Sequence, residues 1–281
     1  MPYADLHVHT TRSDGTLEPG AVPAAARRAG LGVVAITDHD RLPPAALSSE
    51  RDGPEATASR ESAESNEDDE TPIRVVPGIE LRVETPDDDR IDLLGYGLER
   101  TPELAGEIER LQADRQERAR RMVERVEDRL GIELSLSFGP GVGRPHVARA
   151  IVAHPDTDLT RGDVFAELIG DDGPCYVARE VPDLETGVAI LREACPIVSL
   201  AHPLRYDDPG RVLAFADRFD AIEREYPYGG PVDSAPVLEA IAKHDLLATG
   251  GSDAHGETLG AAGLTRSEWR PIAAALGGDF V

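Results

Sequence analysis

The stretch YADLHVHTTRSDG, residues 3–15, decides how the chain is read. It alternates apolar and polar residues in the manner of a half-buried strand. Successive strand side chains point to opposite faces, so His7 and His9 share one face with Asp5, and Leu6 and Val8 share the other. Two imidazoles side by side make half of a metal site. Asp14, just past the strand and beside Gly15, can bring a carboxylate back over them. The bland alternative is a pair of polar residues on a wet strand face.

Working outward, short β-rich runs recur at 32–37, 73–81, 91–98, 195–201, 219–223 and 246–251. Helical stretches such as EPGAVPAAARRAG (18–30) and LETGVAILREA (184–194) lie between some of them. Seven strands interleaved with helices predict a parallel α/β architecture. The strand ends carry the chemistry. The second run leads into Asp38, His39 and Asp40, the third carries Glu80, and the fourth has Asp92 near its start. The fifth ends at His202 before Pro203, the sixth at Glu223, and the seventh at Asp253 and His255. Five of the eight histidines fall at these positions, where barrel enzymes build active sites from the loops after the strands. His154 reads instead as a loop residue and His244 as a solvated helix position.

Composition narrows the class. No charged-then-apolar leader and no long apolar run are visible, and Cys175 and Cys195 form no CxxC pair. A cytoplasmic enzyme is the expectation. Lys+Arg 29 against Asp+Glu 53 gives a net charge of −24, and Lys243 is the only lysine. Such a surface repels polyanions and membranes, which argues against general duplex nucleic-acid binding. No obligate protein partner is evident. The acid-rich, lysine-poor balance resembles proteins of salt-accumulating halophiles, whose counterions screen self-repulsion. Residues 48–72 hold nine acids and two arginines with no Ile, Leu, Val, Met or aromatic, and predict a disordered acidic loop.

HxH near the N-terminus, Asp14, TDHD (37–40), PGIE (77–80), AHP (201–203) and SDAH (252–255) together resemble the polymerase-and-histidinol-phosphatase (PHP) family of metal-dependent phosphoesterases. The resemblance implies a distorted (β/α)7 barrel with two or three divalent metals at its mouth. It implies His7, His9, Glu80 and Asp253 at the first metal, and Asp14, His39 and His255 at the second. A third would lie between Glu80 and His202. Asp14, His39 and His202 would be the catalytic group. The family usually carries a histidine where this chain has Asp92. A carboxylate there can still ligate, shifting preference from Zn²⁺ toward Mn²⁺ or Mg²⁺, with a strand-end cap as the alternative. Mn²⁺ is the expected metal, with Zn²⁺, Fe²⁺ and Mg²⁺ as alternatives. Asp5, Asp38 and Asp40 are expected to orient the histidines from behind, and Glu223 to do likewise or to face the barrel.

The segment between the fourth and fifth strands is too long for one crossover and predicts an inserted, mostly helical subdomain over 99–187, splitting the barrel into 1–98 and 188–281. Leu104, Ile108, Leu111, Ala119, Met122, Val126 and Leu130 form a helical apolar stripe with Arg115 in its gap and Arg118 beside it. An arginine on a buried face needs an anion, either a nearby acid or a substrate phosphate. In GRPHVAR (143–149), Pro145 opens a helix and puts His146 in its first turn, a place that favours anions. This region resembles, more loosely, the family branch that removes the 3′-phosphate from nucleoside 3′,5′-bisphosphates, some members of which also trim short RNA from the 5′ end. The expectation is a small phosphorylated substrate, a nucleotide, with its second phosphate on Arg115, Arg118 and His146. A histidinol-phosphatase-like enzyme and a non-catalytic metal-binding module remain as alternatives.

Overall fold

The computed structural model describes residues 1–44 and 72–277. The acidic stretch 48–72 lies, but for its last residue, outside the described residues. Strands β1 (Ala4–Val8), β2 (Val33–Ile36), β3 (Arg74–Glu84), β4 (Arg90–Tyr96), β5 (Ile197–Leu200), β6 (Ala221–Glu225) and β7 (Leu247–Gly250) form one sheet in chain order. Backbone bonds from His9 N–H to the Ala254 carbonyl (2.9 Å) and from Leu264 N–H to the Ala4 carbonyl (2.8 Å) carry β1 toward the β7 side. The sheet is thereby nearly closed into a barrel, as the resemblance implied.

The sheet is mixed, which corrects the expectation of an all-parallel one. β4 runs antiparallel to both β3 and β5, while the other pairs are parallel. The cause is local. Between β3 and β4 stands TPDDD, with Asp88 in the left-handed region at φ 63° and the Thr85 hydroxyl accepting from the N–H groups of Asp87 (3.3 Å) and Asp89 (3.2 Å). So short a reversal has no room for the crossover that parallel strands need. The reversal puts the start of β4, with Asp92, at the same end of the barrel as the ends of β1, β2 and β3.

The two barrel ends are built differently. Ala4, Val33, Ile197 and Ala221 open their strands, and Tyr96 closes the reversed β4; these residues cluster with Trp269 and Ile272 of the helix Arg266–Leu276. That end is an apolar plug. Outside the sheet, α1 (Val22–Arg28) covers β1 and β2, and α5 (Leu184–Ala194) packs with Leu81, Leu93 and Val198.

The segment after β4 begins with α2 (Pro102–Leu130), capped by the Thr101 side chain accepting from Leu104 N–H (3.2 Å) and ended by left-handed Gly131. Leu104, Ile108 and Leu111 pack on the barrel core. Met122, Val123 and Val126 belong to a separate cluster with Val147, Ile151, Val164 and Leu168. The latter come from α3 (Arg144–Val152), α4 (Arg161–Val164) and the wide turn Phe165–Ile169. α2 is therefore a shared beam, rooted in the barrel at one end and supporting the small helical cluster at the other.

Candidate active site and metal centre

β1 delivers His7 and His9 to the polar end of the barrel with both side chains fully buried and ring centroids 5.1 Å apart. Their Nε2 atoms converge on Glu80 of β3: Oε2 lies 3.3 Å from His7 and 3.2 Å from His9, and also 3.0 Å from His39 Nδ1. Asp253 Oδ1 approaches His9 Nε2 at 3.1 Å and His7 Nε2 at 3.5 Å. Beside this group, Asp14 Oδ1 lies 3.2 Å from His255 Nε2 and 4.0 Å from His9 Nδ1. On the other flank His202 Nε2 is 3.2 Å from Glu80 Oε1 and 3.7 Å from Asp92 Oδ2. Three overlapping donor sets result: His9–Asp14–His39–His255, His7–His9–Glu80 and Glu80–Asp92–His202.

These residues fit divalent cations. His7 Nε2, both ring nitrogens of His9, Glu80 Oε2 and Asp14 Oδ1 are buried with no hydrogen-bond partner among the described residues, a costly arrangement unless something else satisfies them. All donors are nitrogen or oxygen, with no thiolate, which suits borderline and hard cations. The electrostatics agree. Burial alone would keep His9 neutral, yet its contacts with Asp253 and Glu80 hold its pKa at about 10. Burial would likewise keep Asp14 protonated, but its bond to His255 and the neighbouring His39 and His9 hold it well below the usual carboxylate range. The acids demand positive charge, which protonated imidazoles supply together with Arg205 at Asp253 and Arg82 at Asp92.

Supporting contacts fix the donors. Glu223 of β6 receives His7 Nδ1 on one oxygen (3.0 Å) and the His202 backbone N–H on the other (2.8 Å), holding His202 in the left-handed region at φ 31°. Tyr226 and Arg205 donate to Asp253 Oδ2 at 2.7 and 3.1 Å. Gly251 lets the chain pass against β1, since a Cβ there would fall 2.4 Å from His7 atoms. Three acids expected behind the histidines hold no imidazole. Asp5 receives Ser252 N–H and hydroxyl and Gly260 N–H (2.8, 2.6 and 2.8 Å), pinning the loop that carries Asp253. Asp38 receives Thr10 N–H (2.8 Å) and the hydroxyls of Thr10 (2.7 Å) and Ser13 (2.6 Å), pinning the loop that carries Asp14. Asp40 pairs with Arg115 and Arg179. Each of these acids bonds groups on the loop ends or helices, and Glu223 alone among the four reaches a ring nitrogen.

Comparison with known proteins gives the donor sets a lineage. Residues 5–102 match the PHP domain family. The 5′-3′ exoribonuclease Rnm of Escherichia coli is 29% identical over 263 residues, covering 89% of this chain and 84% of that one. The 3′,5′-nucleoside bisphosphate phosphatase of Chromobacterium violaceum is 27% identical, covering 98% of each chain. A crystal structure from Bifidobacterium adolescentis, given the provisional description metal-dependent phosphoesterase, superimposes with a TM-score of 0.73 at 26% identity over 97% of this chain and 96% of that one. The chain resembles the PHP domain over residues 5–102 and is similar over most of its length to phosphoesterases. It is a hydrolase of phosphoesters, and the PHP match implies divalent metal ions.

Around the donors the chain forms a cavity of about 490 Å³ whose wall includes Arg82, Arg149, Arg161, Arg205 and Tyr226. None of these five was singled out by sequence. Arg149 carried a signal, since it stands three residues after His146 in the same motif and so on the same helix face. The residues that were singled out for a second phosphate are engaged elsewhere. Arg115 is buried, its Nε 2.8 Å from Asp40 Oδ2, so the acid partner and not a substrate phosphate neutralises it. Arg118 donates from Nε to the Val177 carbonyl at 2.6 Å, and its guanidinium lies 5.7 Å from the Tyr176 ring centre. His146 accepts from Gly143 N–H at 3.3 Å, closing the start of α3, while its neighbours Pro145 and Arg149 face the cavity. Asp92 is likewise committed: Arg82 grips both its oxygens, at 2.7 and 2.6 Å. The guanidinium and any cation near His202 would share that carboxylate.

Proposed function

We propose that the protein removes the 3′-phosphate from nucleoside 3′,5′-bisphosphates and acts on short RNA from its 5′ end. The observation that carries this reading is one cavity with two anion-seeking walls. The barrel contributes the three donor sets, and the helical cluster contributes Arg149 and Arg161. A substrate with two phosphates matches that division, and the relatives named as a bisphosphate phosphatase and an exoribonuclease support it.

Two to three divalent ions, Mn²⁺ first among them, would be held by His7, His9, Asp14, His39, Glu80, His202, Asp253 and His255, with Asp92 at the margin. Bound there, they supply the Lewis acidity and positive charge that hydrolysis of a phosphoester requires. The chain's own residues do the rest. Asp14, His39 and His202 border the reacting phosphate. Arg82, with N–H groups beyond those on Asp92, donates to its oxygens. Arg149 and Arg161 hold the 5′-phosphate, so binding energy from the remote end positions the reacting one.

With Mn²⁺ present, adenosine 3′,5′-bisphosphate should be hydrolysed to AMP with kcat/KM at least tenfold above that for 3′-AMP, which lacks the 5′-phosphate. Losing one charge-assisted contact costs about 1.5–3 kcal/mol, about ten- to a hundredfold. Arg149→Ala and Arg161→Ala should therefore lose activity on the bisphosphate and keep it on p-nitrophenyl phosphate. Equal rates on 3′-AMP, or faster turnover of histidinol phosphate, would overturn the reading.

A further inference from the structure

A second groove opens beside the first. Its walls are α2 and the segment 176–181, and its floor is the outer part of the β3–β4 hairpin. In a chain of net charge −24 it is lined by five arginines (Arg90, Arg110, Arg121, Arg125 and Arg179) against two acids, Glu84 and Glu180. Glu180 is 83% exposed, so it screens the groove weakly. The hairpin register links the two cavities. Arg82 pairs across the strands with Asp92 in the metal cavity, and Glu84 with Arg90 in the groove, two residues further out on the same face. That step is about 7 Å, close to the phosphate spacing of an extended single strand.

Two of the cations are already paired, Arg90 Nε lying 3.2 Å from Glu84 Oε2 and Arg110 Nη2 lying 2.6 Å from Glu107 Oε1. Arg90 donates to the Tyr176 hydroxyl at 3.2 Å, and Arg125 to the Tyr176 carbonyl. Arg121 has no ion-pair partner among the described residues. Arg179 is buried, with one hydrogen-bonded contact to Asp40 and its Nε unpartnered. Arg179 stands beside Arg115, Arg82 and Arg118 with Asp40 as its carboxylate partner, three guanidinium neighbours against one acid.

We infer that this groove binds the downstream phosphates of a single-stranded oligonucleotide whose reacting phosphate lies in the metal cavity. The strand would leave the donors past Arg82 and follow Arg179 and Arg90 to Arg121 and Arg125, opposite to the 5′-phosphate end on Arg149 and Arg161. Phosphate-tracking arginines bind without reading sequence. This inference rests on the proposed reaction, but its test does not require that reaction.

A fluorescein-labelled RNA pentamer with a 5′-phosphate is titrated into the full-length protein and read by polarisation, in parallel with hydrolysis of adenosine 3′,5′-bisphosphate. Arg121→Ala/Arg125→Ala should weaken pentamer binding at least tenfold, lower the slope of log affinity against log salt by about 1–2, and change bisphosphate turnover less than twofold. Arg121→Glu alone, at an exposed position, should act in the same direction if the double variant folds poorly. Unchanged pentamer binding, equal loss on the bisphosphate, or duplex RNA bound as tightly as the single strand each overturns the inference. Pentamer binding that depends on these arginines without any bisphosphate hydrolysis would leave the groove and remove the proposed reaction.

Discussion

At the scale of single residues the centre works by borrowed charge. Glu223 lines neither of the two cavities described, yet it holds the His7 ring and the His202 backbone at once. Partners of this kind tune metal affinity by about ten- to a hundredfold when removed. Glu223→Gln should therefore weaken Mn²⁺ binding by about that factor in chelator competition, with the melting curve of the metal-free protein little changed; unaltered affinity would contradict the role. Protons matter as well. In the metal-free chain His9 keeps its proton up to about pH 10, so a cation binding near neutral pH must displace it. Calorimetry in two buffers of different ionisation enthalpy should show at least one proton released per chain, and apparent affinity falling as pH falls. The sign for folding is opposite. A histidine pKa raised above its unfolded value stabilises the metal-free fold fully below about pH 6.5, and that stability fades as pH rises through about 10.

At the scale of elements, one carboxylate adds a charged anchor to the apolar packing of α2 on the barrel. Asp40 receives both Arg115 and Arg179, and its neighbours hold its pKa at about 2 against full burial. Asp40→Ala strands two buried guanidinium groups and should cost more in thermal unfolding than Arg115→Ala, which leaves the Asp40–Arg179 pair. The lone-partner loss is of order 3–5 kcal/mol. Arg115→Ala should lower turnover of bisphosphate and p-nitrophenyl phosphate alike, because it sets a helix and not a phosphate; a selective loss would return Arg115 to the substrate. The elements differ in how legible they were. All seven strands could be read, because apolar runs ended in ligand-type residues. The direction of β4 was missed, because a strand covered on both faces looks the same whichever way it runs. TPDDD was the available signal, a turn sequence with no helix after it. The Arg115 partner was out of reach for another reason: Asp40 lies 75 residues away, and only the packed fold brings them together. Arg149 and Arg161 were missed likewise, since a helix shows its polar face in sequence but not which cavity that face meets.

At the scale of the whole molecule, a net charge of −24 surrounds a centre that needs cations and arginines. Self-repulsion of that size is relieved by screening, so the melting temperature should rise from dilute buffer to molar KCl. A flat or falling trend would remove the halophile-like reading of the surface. The near-closure of the barrel has a different consequence, one for synthesis. His7 and His9 are synthesised long before Asp253 and His255, and before the Ala254 carbonyl that meets His9 N–H. A cation seated between His9, Asp14, His39 and His255 lacks part of its donor set until the loop after β7 has been made, and contacts of such long separation form late. Loading there therefore waits for β7 and the loop that follows it. A chain stopped after residue 246 should retain no tightly bound Mn²⁺ after gel filtration, whatever the metal supply during expression.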